Sequence, residues 1–317
     1  MPGYYVVVAG REVVIRASGT GHVTGSAAIP VPAGTPRSLV SGEPFGTADD
    51  DGHVIIVVSR GGDLPGVADV TLFRLTVSPH GRAAGLDRLN FDSGGVPVTG
   101  AALSPDGRML ALSLLHEFPP GAPYGSVEVL SVASGANPTT RTWTGRSAPG
   151  YWPGVPSWAG DDSVVVLWWH STSQSTTPAE LTGVRELDLA APGGSLTAAP
   201  LVAFPAPAPG LQSAVIAPGG DIITSSCRAG HHTATARVAE LSGTDGRPVR
   251  VLRTQTARFP DGADAQDAIL ATCRVLSVAG DGDHVLVRAF AFGRIDNGVF
   301  TSLPGMSPGA SPVSATW

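Results

Sequence analysis

The stretch that decides the fold is "ALSPDGRMLALS", residues 102–113. A short apolar run reaches a Pro-Asp-Gly turn and leaves at once as a second apolar run. Gly accepts positive φ and Asp bonds back to the local backbone, so the segment closes as a tight hairpin. Imperfect copies follow the same plan: "TADDDGHVIIVVS" (47–59), "WAGDDSVVVLW" (158–168), "IAPGGDIITSS" (216–226) and "VAGDGDHVLVR" (278–288). The turns end at Gly52, Gly107, Asp162, Gly220 and Gly282, at intervals of 55, 55, 58 and 62 residues. A repeat near 55 residues marks an array of equivalent supersecondary units.

One unit shows its strands plainly: "VTGAALS", "RMLALSL", "SVEVLSV" and "TTRTWTG" between residues 98 and 145. Elsewhere "DVTLFRLTV" (69–77), "GVRELDLA" (183–190) and "TARVAEL" (235–241) supply third strands. Four short antiparallel strands per unit, with no helical pattern between units, make one propeller blade. Five units leave the ends over. The N-terminal segment offers "YYVVVAG", "REVVIRAS" and "HVTGSAAIP", and the C-terminal one offers "SPVSATW" (311–317). Joined, they complete a sixth blade whose inner strand is C-terminal, which pairs edges that would otherwise stand open. The expected fold is all-β: a six-bladed β-propeller forming a single domain over residues 1–317. The alternative of seven blades needs a further blade within residues 140–215.

Composition narrows the function. All 20 basic residues are arginine, the net charge is −6, and the basic residues are scattered. A nucleic-acid surface needs clustered cations, so no nucleic-acid partner is expected. The longest strongly apolar runs, "VIIVV" (54–58) and "VVVLWW" (164–169), fall far short of the roughly 20 residues that span a bilayer. No signal-peptide pattern opens the chain. Gly (41) and Pro (28) exceed a fifth of the residues but show no collagen period, and so read as turns.

The segment "LSPDGRMLALS" resembles the short repeat of TolB-like and WD40-like bacterial propellers. "YYVVVAGREVVIRASGTGHVTGSAAIPV" (4–31) resembles a YVTN-type blade, and nearly the whole chain is similar to the propeller region of a group of actinobacterial proteins. That resemblance implies fold rather than chemistry. It also implies an amino-terminal membrane helix preceding the "YY" strand, so a membrane is expected only through a segment absent from this chain. The Gly-His and Trp-Asp pairs of eukaryotic WD40 blades are missing.

Candidate sites are sparse. Cys227 and Cys273, the two cysteines, fall on strands of neighbouring blades and so could form a disulfide; two separate buried thiols are the alternative. A bridge would close 46 residues and contribute about 4 kcal/mol in the chain-entropy model. Cys227, His231 and His232 lack the further ligand that zinc needs. "DDDG" (49–52) and "GDGDH" (280–284) miss the calcium-loop spacing and occupy hairpin turns. No H-E-x-x-H or G-x-G-x-x-G pattern occurs. No catalytic residue, metal or cofactor is therefore assigned.

Two ligand-binding candidates remain. "PGYWPG" (149–154) reads as a loop placing Tyr151 and Trp152 on the rim. "DGADAQD" (261–267) places Asp264 and Asp267 just before an inner strand. Trp158 aligns with Leu103 and Ile216 as inner-strand core. Trp168 and Trp169 fall on opposite faces of one strand, so both are buried only if two blades flank it.

The expected function is a non-enzymatic binding or sensing module that engages a protein, a peptide or an envelope glycan on the extracytoplasmic side of a membrane. A cytoplasmic location is the alternative. The rival function is a propeller enzyme of lactonase, lyase or glycan-hydrolase type, with Asp264, Asp267, His231, Asp49 and Asp281 converging at the channel mouth. A purely structural propeller within a larger assembly is a third reading.

Overall fold

The structure is a computed structural model that describes residues 3–31, 40–45, 51–61, 68–116, 123–132, 140–170, 179–203, 208–230, 232–258, 273–279, 282–303 and 315–316. Within these residues every regular element is a strand. The first blade holds β1 (Tyr4–Ala9), β2 (Glu12–Ala17) and β3 (Val23–Ala28). The second holds β4 (Val40–Phe45), β5 (His53–Gly61), β6 (Ala68–Val77) and β7 (Ala83–Arg88). The third holds β8 (Val98–Leu103), β9 (Met109–His116), β10 (Tyr124–Ser131) and β11 (Thr140–Thr144).

The fourth blade begins with β12 (Tyr151–Trp158), β13 (Ser163–His170) and β14 (Ala179–Asp188). Three short strands follow: β15 (Gly193–Ser195), β16 (Leu201–Ala203) and β17 (Ala208–Leu211). The fifth blade is β18 (Ser213–Ile216), β19 (Ile222–Ala229), β20 (Thr233–Leu241) and β21 (Pro248–Arg258). The sixth is β22 (Cys273–Val278), β23 (His284–Ala289), β24 (Ala291–Asp296) and β25 (Val299–Ser302). A last strand, β26 (Ala315–Thr316), pairs antiparallel with β1, matching Val6 to Thr316 and Val7 to Ala315. The first blade thus has the order β26-β1-β2-β3, and the ring has six blades closed by a C-terminal inner strand.

Within residues 140–215, where a seventh blade would have to lie, the strands after β14 join neighbouring sheets instead. β15 pairs in parallel with β11 of the third blade, while β16 and β17 both pair with β14. Arg185 fastens the segment: its Nη1 donates to the carbonyls of Ala199 (2.6 Å) and Thr197 (3.1 Å), and its guanidinium lies over the Trp168 ring.

The repeated hairpin forms as its composition dictates. Gly52, Gly107, Gly220 and Gly282 all have positive φ. In the third blade Ser104 N–H donates to the Met109 carbonyl and Gly107 N–H to the Ser104 carbonyl, which closes the Pro-Asp-Gly turn. The fourth blade departs from the expected alignment. Its turn is one residue shorter, closed by Ala159 N–H on the Ser163 carbonyl, and the left-handed position is Gly160 rather than Asp162.

Burial follows the period of two. Each blade sends alternate side chains toward its two neighbours, so the core is a set of clusters between blades. Trp168 packs with Val127, Val129 and Trp143 of the third blade, and Trp169 with Ala214, Ile216 and Ile222 of the fifth. The two adjacent tryptophans are therefore buried on opposite sides of one sheet, 3% and 7% exposed, as the alternation requires.

Serines on second strands tie blades together. Ser113 of β9 donates to the Gly154 carbonyl of β12 (2.7 Å), and Ser225 of β19 donates to the Cys273 carbonyl of β22 (2.9 Å). Where the third and fourth blades come closest, Gly125 faces Trp152 and Pro153 with no room for a Cβ.

Candidate functional site in the central channel

The first three strands of every blade alternate in direction, so all the inner strands run the same way, from one face (the upper face) to the face that carries the hairpin turns. They enclose a cavity of about 1050 Å³ along the axis. β4, β8, β12, β18 and β22 all contribute to its wall. Near the starts of these strands lie Thr99, Trp152, Gln212 and Arg274. Toward the turns lie Leu103, Trp158, Ile216 and Val278.

Trp158 does occupy the position equivalent to Leu103 and Ile216, as expected, but it is half-buried and faces the channel. Its Nε1 donates to the Ala102 carbonyl of the third blade (2.9 Å), which fixes the indole as part of the wall. Trp152 stands opposite Trp169 in the β12–β13 pairing, and both line the channel. Three indoles from one blade thus face a cavity walled largely by Val, Leu, Ala and Pro, the mix typical of small-molecule sites.

This corrects the sequence reading of "PGYWPG". Tyr151 and Trp152 begin the inner strand β12 and are not in a rim loop. Proline is tolerated there because an inner strand has a free edge toward the channel, and the β12–β13 register shifts between Pro153 and Pro156. The two aromatics then diverge. Trp152 lines the channel, whereas Tyr151 packs on the third-blade side, stacked on His170 (4.2 Å) and Trp168 (5.7 Å).

A parallel arrangement occurs in the third blade. His116, the last residue of β9, stacks on Tyr124 (4.7 Å), its cross-strand partner on β10, and its Nε2 meets Ser126 Oγ at 2.7 Å. Burial holds the His116 imidazole below its ordinary pKa. His116 and His170 both close the second strand of their blade, so each blade carries a histidine–tyrosine stack at the upper face.

Charge within the channel is concentrated on two strands. Glu43 of β4 and Arg274 of β22 line the cavity near its upper half, and Asp221 lies at the turn face, where it accepts from Gly243 N–H. Burial raises the Glu43 pKa above the ordinary carboxylate range, although the Arg274 charge pulls it the other way. Arg274 is directly opposite Arg288 in the β22–β23 register. Burial holds the Arg288 pKa below the usual guanidinium value, and the Arg274 charge pushes in the same direction. None of these three residues stands out in the sequence, because "GEPF" and "TCRVL" carry no local pattern and their proximity exists only in the closed ring.

Cys227 on β19 and Cys273 on β22 are brought together across the fifth and sixth blades, with Cα atoms 6.0 Å apart and sulfurs in bonding contact. Asp264, Asp267, His231, Asp49 and Asp281 lie outside the described residues. Among the described residues there is no cluster of three or more His, Cys, Asp or Glu side chains arranged for a metal, and no helix long and apolar enough to cross a membrane.

No protein-family model matches the chain, and no curated protein does so either. Solved structures do resemble it. A TolB protein from Agrobacterium tumefaciens is 12% identical with a TM-score of 0.41, over 94% of this chain and 79% of that one. An acylaminoacyl peptidase from Pyrococcus horikoshii is 8% identical with a TM-score of 0.40, over 83% of this chain and 39% of that one. The tricorn protease is 9% identical with a TM-score of 0.44, over 95% of this chain and 34% of that one. At these identities the likenesses concern fold alone.

Proposed function

We propose that this propeller is a binding or sensing module that takes its ligand into the central channel. The supporting observation is the wall itself. Trp152, Trp158 and Trp169 face a cavity of about 1050 Å³ whose charged groups are confined to a few positions. Such a site recognises shape and apolar surface and orients the ligand with a few polar contacts. The partner is a protein, a peptide or an envelope glycan, part of which is inserted at the upper face. The extracytoplasmic location and the membrane attachment through a segment outside this chain belong to the same proposal. They are supported by the cysteine pair, since bridges persist in oxidising compartments.

The test uses Nile red, a neutral apolar fluorophore, with the full chain and with Gln212→Trp, which fills the upper end of the channel. Enhanced emission with the native chain and its loss in Q212W is the expected result. Equal emission from both proteins would place apolar binding elsewhere and end this proposal.

Catalysis at the channel mouth is the second reading, and one observation favours it: a channel carboxyl, Glu43, with a raised pKa, as general acids have. Hydrolysis of a lactone or glycoside panel by the native chain, abolished in Glu43→Gln, would establish it.

A further inference from the structure

We infer that the channel ligand carries a single carboxylate on an apolar body, and that Arg274 and Arg288 receive that carboxylate; this rests on the channel being the binding site. The observation is an unusual placement of like charges. Arg274 and Arg288 are directly opposite on β22 and β23, where like charges repel. Neither guanidinium makes a hydrogen bond or ion pair among the described residues. Among the described residues the acidic group that senses the Arg274 charge is Glu43, on β4 at the far side of β26. Among the described residues, two positive charges thus stand against one negative, with Arg274 at the upper end of the cavity.

An anion answers this arrangement better than water. A planar guanidinium pairs with a carboxylate through two parallel hydrogen bonds, which fix its orientation as well as its charge. The excess of one unit suits a monoanion, whereas a phosphate monoester would bring close to two negative charges beside Glu43. The rest of the ligand is set by the wall below Arg274. β12 runs eight residues from Tyr151 to Trp158, about 25 Å at 3.3 Å per residue, and the indoles of Trp152 and Trp158 mark its two ends. The opposite end holds Asp221, so an elongated ligand is oriented with its carboxylate toward the upper face.

Decanoate, decan-1-ol and decyl phosphate are suitable probes, titrated by calorimetry into the full chain and into Arg274→Gln. Arg274 is exposed, so its replacement leaves the blade core intact. The expected result is that decanoate binds at least tenfold more tightly than decan-1-ol, and that R274Q removes this difference while leaving decan-1-ol unchanged. Arg274→Lys should recover only part of it, because the planar fork is lost. Equal affinity for decanoate and decan-1-ol would overturn the carboxylate inference while leaving the channel as the site. Tighter binding of decyl phosphate would overturn the single-charge assignment. Absence of binding by all three would overturn the inference, whereas the channel itself is judged separately by Nile red and Q212W.

Discussion

Val6 pairs with Thr316, so a residue of the first strand and one near the C-terminus share a single sheet. Thr316 and its neighbour Ala315 are fully buried, and Thr316 Oγ1 meets Ser277 Oγ of the sixth blade at 3.2 Å. The closure therefore links the first blade to the sixth through buried groups. It is also where a ring of sheets is most easily opened.

Ala315→Asp should place an unpaired charge in that joint. The expected cost is about 3–5 kcal/mol, a fall in Tm of about 10 °C in a chain of this size. Differential scanning calorimetry reads it. A change within 1–2 °C would mean that the ring does not depend on this strand.

The blade-to-blade serines make a second prediction. Ser113→Ala removes the donor to the Gly154 carbonyl and should cost about 1 kcal/mol, because a part-buried acceptor loses its partner. Ser225→Ala should behave alike at the Cys273 carbonyl. The two sites lie at separate junctions, so urea denaturation of the double variant should show additive losses.

The cysteine pair predicts a mass about 2 Da below the reduced formula for protein purified without reductant, with no uptake of alkylating reagent. Reduction should then lower stability by about 2–4 kcal/mol. Two alkylated cysteines would show that the bridge is absent and would remove the support for an oxidising compartment.

Glu43 predicts a pH dependence. Its pKa is raised in the folded chain, so the folded state holds the proton more tightly than the unfolded state. The stability from that proton is present below the ordinary glutamate value of about 4.3 and is lost as pH rises through the folded pKa. Glu43→Gln should therefore raise Tm at pH 7, and the gain should shrink toward pH 4. A gain that persists unchanged at pH 4 would contradict the assignment.

Much of the ring was legible in the sequence because each hairpin announces itself locally, through Gly at a left-handed position between two apolar runs. The same alternation that spaces those runs placed Trp168 and Trp169 on opposite faces. Two features escaped. "PGYWPG" has the composition of a loop, yet it starts β12, because an inner strand tolerates proline on its free edge. Glu43, Arg274 and Arg288 meet only through ring closure and a β22–β23 register that shifts between Val275 and Ser277. No local motif encodes such a meeting.

The most direct test of the channel as the binding site is a crystal structure of the full chain soaked with decanoate. The account predicts the chain of the ligand lying along β12 between Trp152 and Trp158, with its carboxylate at Arg274. Ligand on an outer blade face, such as the exposed Val249 and Val251 of β21, with only solvent in the channel, would contradict it.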